Sequence, residues 1–189
     1  MMNVADKTIL WCWILFLLYW IVSARAVKRI AERQSRLSSF AHRFPLGLGY
    51  YLLLFRGQPH PLNLALTPHT EPARAFGAVL CVFGLFVTIW ARRTLAGNWS
   101  SDVTFKQGHE LIQTGPYRFA RHPIYTGLLG MSLGTAIAGG QLRSWLGLLS
   151  VGAALWIKLT QEESLMLRHF PDAYPSYRAR VKAIVPFLL

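Results

Sequence analysis

Apolar blocks alternate with short basic stretches along the whole chain. The first block, Thr8 to Ala24, carries no charge and is just long enough to cross a bilayer as a helix. A second, Phe44 to Phe55, is short. It spans only by borrowing Leu37 to His42 and letting Arg43 snorkel to the surface; a tilted or re-entrant helix is the alternative. A third runs from Ala75 to Ala91, a fourth from Ile124 to Gly140, and a fifth from Trp145 to Ile157, extended at its ends. Gly139-Gly140-Gln141 predicts a tight turn that makes an antiparallel hairpin of the last two. The pattern predicts an all-α integral membrane protein with about five transmembrane helices.

Five spans place the termini on opposite sides. One face then holds Lys7, Arg56, Arg74 and Arg143, and the other holds the rest of the 20 Lys and Arg residues. Basic loops stay in the cytoplasm, so the N-terminus is expected outside and the C-terminus inside. The same asymmetry accounts for the net charge of +12 without a nucleic-acid partner. A cleaved signal peptide ending near Ala24-Arg25-Ala26 is the competing reading of the first block. Its flanks oppose it, because Asp6 and Lys7 cancel before the block while Arg25, Lys28, Arg29, Arg33 and Arg36 crowd the far side. The stretch from Arg25 to Leu37 has a helical apolar face and is expected either to continue the first helix along the membrane surface or only to mark the cytoplasmic side. Cys12 and Cys81 both lie in apolar blocks, and their separation suits neither a disulfide framework nor a zinc site. No metal-binding motif occurs.

Two polar segments on the basic side remain for chemistry: Arg92 to Pro123 and Lys158 to Leu189. The chain therefore divides into an N-terminal set of about three helices (1–91) and a C-terminal half (92–189) expected to hold a cytosolic cofactor-binding region. In Arg121-His122-Pro123-Ile124-Tyr125-Thr126-Gly127, Pro123 suits the first turn of the fourth helix. Arg121, His122 and Tyr125 then stand beside a helix N-terminus, whose unpaired N–H groups favour an anion; simple anchoring of the helix end is the bland alternative. Gln161-Glu162-Glu163 is expected at the end of the fifth helix, where adjacent carboxylates are disfavoured by each other and by the helix dipole unless a cation binds them. The tail from Phe170 through Tyr174, Tyr177, Arg178 and Arg180 is amphipathic and is expected to fold back over a site.

These residues, in this order, resemble the isoprenylcysteine carboxyl methyltransferase family and the related phospholipid methyltransferases. The resemblance begins at Leu95 to Ser100, passes through Gly108-His109-Glu110-Leu111 and Gly115-Pro116-Tyr117, centres on Arg121 to Gly127, and resumes at Glu162-Glu163, Phe170, Tyr174, Tyr177 and Arg180 to Leu188. It covers roughly the C-terminal half. It implies S-adenosylmethionine as cofactor, left as S-adenosylhomocysteine. It also implies that His109 and Leu111 lie along the adenosine, that Tyr117, His122, Tyr125 and Glu162 or Glu163 hold the amino-acid part, and that Arg121 and Arg180 stand near the methyl acceptor. The segment Val181 to Val185 departs from eukaryotic members, which carry Pro and Gly there, and this leaves the acceptor open.

The residues permit two acceptors. A carboxylate is already ionised and needs alignment and water exclusion rather than a base, which suits a bidentate arginine. An amine must lose a proton, and Glu162, Glu163 or His122 is then the base. The acceptor is expected to be lipophilic and to enter from the bilayer. The short chain points to a prokaryotic inner membrane. The alternatives are an NADPH-dependent membrane sterol reductase and a non-enzymatic carrier or scaffold. Gly47-Leu48-Gly49, the one G-x-G sequence, follows no predicted strand and is not a nucleotide loop.

Overall fold

A computed structural model describes residues 3–24, 30–33, 36–55, 57–99, 103–106, 108 and 110–186. Among the described residues six α-helices form: α1 (Val4–Ser23), α2 (Arg36–Leu54), α3 (Glu71–Leu95), α4 (Pro123–Gly139), α5 (Leu142–His169) and α6 (Ala173–Arg180). Three segments among the described residues, Val4–Ser23, Glu71–Asn98 and Leu142–His169, are long and apolar enough to cross a membrane. Large apolar side chains such as Trp11, Phe44, Phe83, Phe86 and Leu149 point outward from the bundle. In water such a surface is unfavourable, and lipid is its natural solvent.

The helix ends follow local chemistry. The Asn3 side chain accepts the Asp6 N–H at 2.8 Å to start α1, and Thr70 caps α3 in the same way. Pro123 opens α4, and Gly140 closes it with φ of 60°, a left-handed conformation that costs glycine nothing. The turn to α5 is therefore as tight as its sequence predicts. The fifth helix is longer than its apolar block, running on to His169. Nothing between Ile157 and His169 breaks a helix, and the chain leaves it only before Pro171. Glu162 and Glu163 thus sit inside α5, well before its last turn. The expectation of a carboxylate pair at a helix C-terminus is corrected accordingly.

A second correction concerns the basic stretch after α1. Ile30–Arg33 is a strand (β1), not a surface helix; it pairs antiparallel with Thr104–Lys106 (β2), with Ile30 opposite Lys106 and Arg33 opposite Thr104. A backbone partner supplied by the linker outweighs the helical spacing of a short segment. Residues 25–29 lie outside the described residues.

Close backbone contacts hold the bundle. A Cβ on Gly84 would stand 2.5 Å from the Gly127 carbonyl oxygen, so α3 and α4 meet only because both positions are glycine. Gly127 is the last residue of the Arg-His-Pro-x-Tyr-x-Gly sequence, and its packing fixes the helix that carries His122 and Tyr125. On the other side, a Cβ on Gly49 would lie 2.9 Å from the Gly147 carbonyl oxygen and one on Gly147 2.8 Å from that of Gly49, so α2 and α5 meet backbone to backbone at this pair.

Two buried arginines bind opposite ends of the bundle. Arg143 donates to the Leu52 and Phe55 carbonyls at 3.0 and 3.1 Å, closing the C-terminus of α2 at the end where α5 begins. Arg92 donates to the Ser23 carbonyl at 2.6 Å and the Ala96 carbonyl at 2.8 Å, tying the end of α1 to the end of α3. A cation at a helix C-terminus satisfies carbonyls that have no partner within the helix. The Arg92 end of the bundle is the one that carries the site.

Candidate functional site

Four segments converge at that end: residues 95–99 after α3, residues 110–125 leading into α4, the second half of α5, and α6. The tail is zipped onto the start of α4. The Arg121 N–H donates to the Lys182 carbonyl at 2.8 Å, the His122 N–H to Ala183 at 2.9 Å, and the Thr126 hydroxyl to Ile184 at 2.6 Å. The Tyr177 hydroxyl donates to the Tyr117 carbonyl at 2.5 Å. The segment expected to fold back therefore does so, and it buries Tyr174 and Tyr177.

Beneath it is a cavity of about 360 Å³, within the size range of small-molecule sites. Leu111, Tyr117, Arg121, His122, Tyr125 and Glu162 all line it. Of the other residues singled out in the sequence, Glu163 is buried behind the wall, and Arg180 is exposed and donates to Gln113 at 3.2 Å. Neither lines the cavity. His109 lies outside the described residues.

Glu163 organises the wall from behind. Arg121 donates to one of its oxygens through Nε at 2.8 Å and Nη2 at 2.6 Å, with both side chains only 8% exposed. Another Arg121 nitrogen donates to the Val181 carbonyl and, at 3.3 Å, to that of Arg178. The Arg121 guanidinium is thus committed to holding α5 and the tail together.

His122 stands between the two carboxylates, with Nδ1 3.5 Å from Glu162 and Nε2 3.3 Å from Glu163. Both ring nitrogens therefore face acceptors, which favours the doubly protonated ring. Burial opposes a charged imidazole, but hydrogen bonds to Glu162 and Glu163 outweigh it and raise the His122 pKa. The ring stacks on Tyr125, with centroids 5.3 Å apart and planes 6° from parallel. Burial raises the phenols of Tyr117 and Tyr174 well above their ordinary range and pushes Tyr177 up to about 12. All three phenols remain neutral donors at physiological pH.

Sequence reasoning missed part of the lining. Trp20 of α1 meets Trp99 edge to face at 5.6 Å, and Arg92 sits 4.5 Å over the Trp99 ring. Phe16, Leu46, Tyr50, Leu128 and Leu155 give the cavity an apolar limb reaching between the helices. Lys158 lines it as well. The signal for Lys158 was present: Leu155, Lys158, Glu162, Leu165 and Met166 recur at helical spacing and share one face of α5. The N-terminal contributors gave no such signal, since aromatic residues in an apolar helix read as ordinary packing.

A profile of the phospholipid methyltransferase family matches residues 72–173, from the start of α3 to the start of α6. The chain belongs to that family. It is also 27% identical over 125 residues to protein-S-isoprenylcysteine O-methyltransferase of Saccharomyces cerevisiae, covering 63% of this chain and 51% of that protein. The protein of the same name from Homo sapiens is 30% identical over 118 residues, covering 59% of this chain and 40% of the relative. That of Schizosaccharomyces pombe is 31% identical over 84 residues, covering 42% and 34%. The chain spans about half the length, or less, of these curated relatives. The family match begins at α3 and contains the cavity's polar wall, whereas Phe16, Trp20, Leu46 and Tyr50 lie before it.

Proposed function

We propose that this protein is a five-span membrane methyltransferase that uses S-adenosylmethionine to methylate a lipophilic acceptor, most simply a carboxylate, at the cytoplasmic end of the bundle. The observation that carries this reading is the two-ended cavity: charged and aromatic at the end closed by the tail, apolar where it reaches between the helices. A polar cofactor and a lipid-like acceptor need such a division.

The residues present fit the cofactor. Glu162 supplies an anion for its amino group, Tyr117 and Tyr125 supply phenols, and Trp20 and Trp99 supply aromatic surface. Asn98 lines the same cavity, and its buried side-chain oxygen has no hydrogen-bond partner among the described residues, which leaves an acceptor next to the site for an amine or hydroxyl. When bound, S-adenosylmethionine supplies an electrophilic methyl on a sulfonium, which passes to the acceptor oxygen while the electron pair of the broken bond stays on sulfur. The chain's own part is positioning and exclusion of water. The Arg121–Glu163 pair holds the tail closed, and His122 fixes Glu162 at the wall. His109 and Leu111 are assigned to the adenosine by the family resemblance. Arg180, exposed on α6, is assigned to acceptor capture at the mouth.

Five helices cross the bilayer in this reading, with the N-terminus outside and the cavity end in the cytoplasm of a prokaryotic cell. The Arg143 end of the bundle is correspondingly poor in basic residues.

The test is methyl transfer by the purified, detergent-solubilised protein. Methyl-labelled S-adenosylmethionine is supplied with N-acetyl-S-farnesylcysteine, a lipophilic acid, and separately with phosphatidylethanolamine. Base-labile label on the acid supports the reading. Stable label on the phospholipid amine instead replaces the carboxylate by an amine acceptor, and label on neither contradicts methyl transfer to these classes.

A further inference from the structure

The apolar limb of the cavity has a floor. Its lining residues furthest from the polar wall are Phe16 on α1, Tyr50 on α2, Leu128 on α4 and Leu155 on α5. About one turn further along each helix, on the same face by helical spacing, stand Trp13, Leu53, Met131 and Val151. These four are 5, 4, 0 and 0% exposed, and none of them lines the cavity. The limb therefore stops on all four helices.

The floor is held from several sides. Trp13 donates its Nε1–H to the Thr135 hydroxyl at 3.0 Å and meets the Tyr50 ring edge to face at 5.2 Å. Met131 is pressed against Gly84 of α3, where an added Cβ would stand 2.7 Å from the Met131 nitrogen. Val151 is pressed against Gly49 of α2, where an added Cβ would stand 2.7 Å from the Val151 Cγ2. With helix backbone close behind them, neither residue has room to retreat. The limb is also shallow. Leu155 is seven residues from Glu162 of the polar wall, about 10 Å along α5, and Leu128 is six from His122, about 9 Å along α4. A longer tail meets close-packed side chains, and forcing extra methylenes among them is unfavourable.

We propose that this floor limits the methyl acceptor to a single apolar tail about 10 Å long, the extended length of a geranyl group. This rests on the methyltransferase reading, in which the polar wall holds the cofactor and the limb holds the acceptor, and it adds the acceptor's size. A lipid with one short tail fits the limb. A diacyl phospholipid, with two long chains, does not. Trp13 and Leu53 lie before the residues that the family profile matches, so this chain's own N-terminal helices supply half of the floor.

The test measures binding of N-acetyl-S-prenylcysteines that differ only in their tails, dimethylallyl, geranyl, farnesyl and geranylgeranyl, by calorimetry in detergent. The proteins are the wild type, Met131→Ala, which deepens the limb, and Leu128→Phe, which shortens it. Micelle partition of each analogue is common to all three proteins, so the differences between them report the limb. The wild type is expected to bind the geranyl analogue best and the geranylgeranyl analogue at least fivefold more weakly. The optimum should move toward farnesyl in Met131→Ala and toward dimethylallyl in Leu128→Phe, with thermal unfolding as the check that both are folded. Should Met131→Ala fail to fold, the wild-type optimum and the Leu128→Phe shift decide. Wild-type affinity that keeps rising to geranylgeranyl overturns the proposal, because the tail then leaves the bundle sideways. Binding of none of the analogues, or an optimum unmoved in the folded variants, overturns it as well. Failure of the wild type to bind S-adenosylhomocysteine would contradict the methyltransferase reading itself, while the tail-length profile would still report the floor.

Discussion

Arg121 and Glu163, 42 residues apart in sequence, form a buried two-nitrogen contact at 2.8 and 2.6 Å that joins the entry of α4 to the middle of α5. Removing one partner of such a pair strands the other in a poorly solvated place, at a cost of about 3 kcal/mol. Arg121→Ala and Glu163→Ala should each lower the unfolding free energy in detergent by an amount of that order, seen as a lower thermal midpoint. The double variant should lose less than the sum of the two, as a double-mutant cycle reads directly. Additive losses would show that the pair does not act as a unit.

His122 makes stability depend on pH. Its folded pKa is raised, so its contribution is fully present below its ordinary value of about 6.5 and is lost as pH climbs through the elevated folded value. Thermal midpoints measured from pH 6 upward should therefore fall on the alkaline side. His122→Gln should flatten that arm, and an unchanged slope in the variant would remove His122 as its source.

Tyr177 links the tail to the turn at residues 115–118 through its hydrogen bond to the Tyr117 carbonyl. Tyr177→Phe keeps the ring and deletes the bond, for a stability loss of about 1 kcal/mol. Because both tyrosines line the cavity, binding of S-adenosylhomocysteine should weaken several-fold as well. Limited proteolysis within α6 should quicken in parallel. A variant with wild-type proteolysis would show that this bond does not hold the tail.

Gly127 permits the approach of α4 to α3. Its Cβ position lies 2.5 Å from the Gly84 carbonyl oxygen, so Gly127→Ala forces the two backbones apart. Overpacking of this kind costs typically about 1–3 kcal/mol. The variant should show a lowered thermal midpoint, and it should also weaken cofactor binding, since α4 carries His122 and Tyr125. A loss of stability with cofactor affinity intact would separate the packing from the site.

The sequence made some of this legible and left the rest hidden, for physical reasons. Apolar blocks locate α1 to α5 because burial in lipid or core demands them. The end of α5 lies beyond its apolar block because from Lys158 to His169 polar residues interrupt the apolar ones, so no continuous apolar run marks the helix there. The pairing of Ile30–Arg33 with Thr104–Lys106 was invisible, since a long-range ladder leaves no local periodicity. At the site, Arg121, His122, Tyr125 and Glu162 stood out as polar residues beside apolar helices. Lys158 read as one more basic residue of the cytoplasmic side until its helix face was known. The partition between wall and support, with Glu162 in the cavity and Glu163 behind it, turns on adjacent positions pointing in different directions around α5.

The central claim is that the cavity closed by the tail holds S-adenosylmethionine against Glu162. Calorimetric titration of S-adenosylhomocysteine into the purified wild type and Glu162→Gln tests it most directly, with thermal unfolding of both as the control for folding. Micromolar binding by the wild type, lost or weakened at least tenfold in a folded Glu162→Gln, is the predicted result. Absence of binding by the folded wild type, or equal binding by both proteins, would contradict the account.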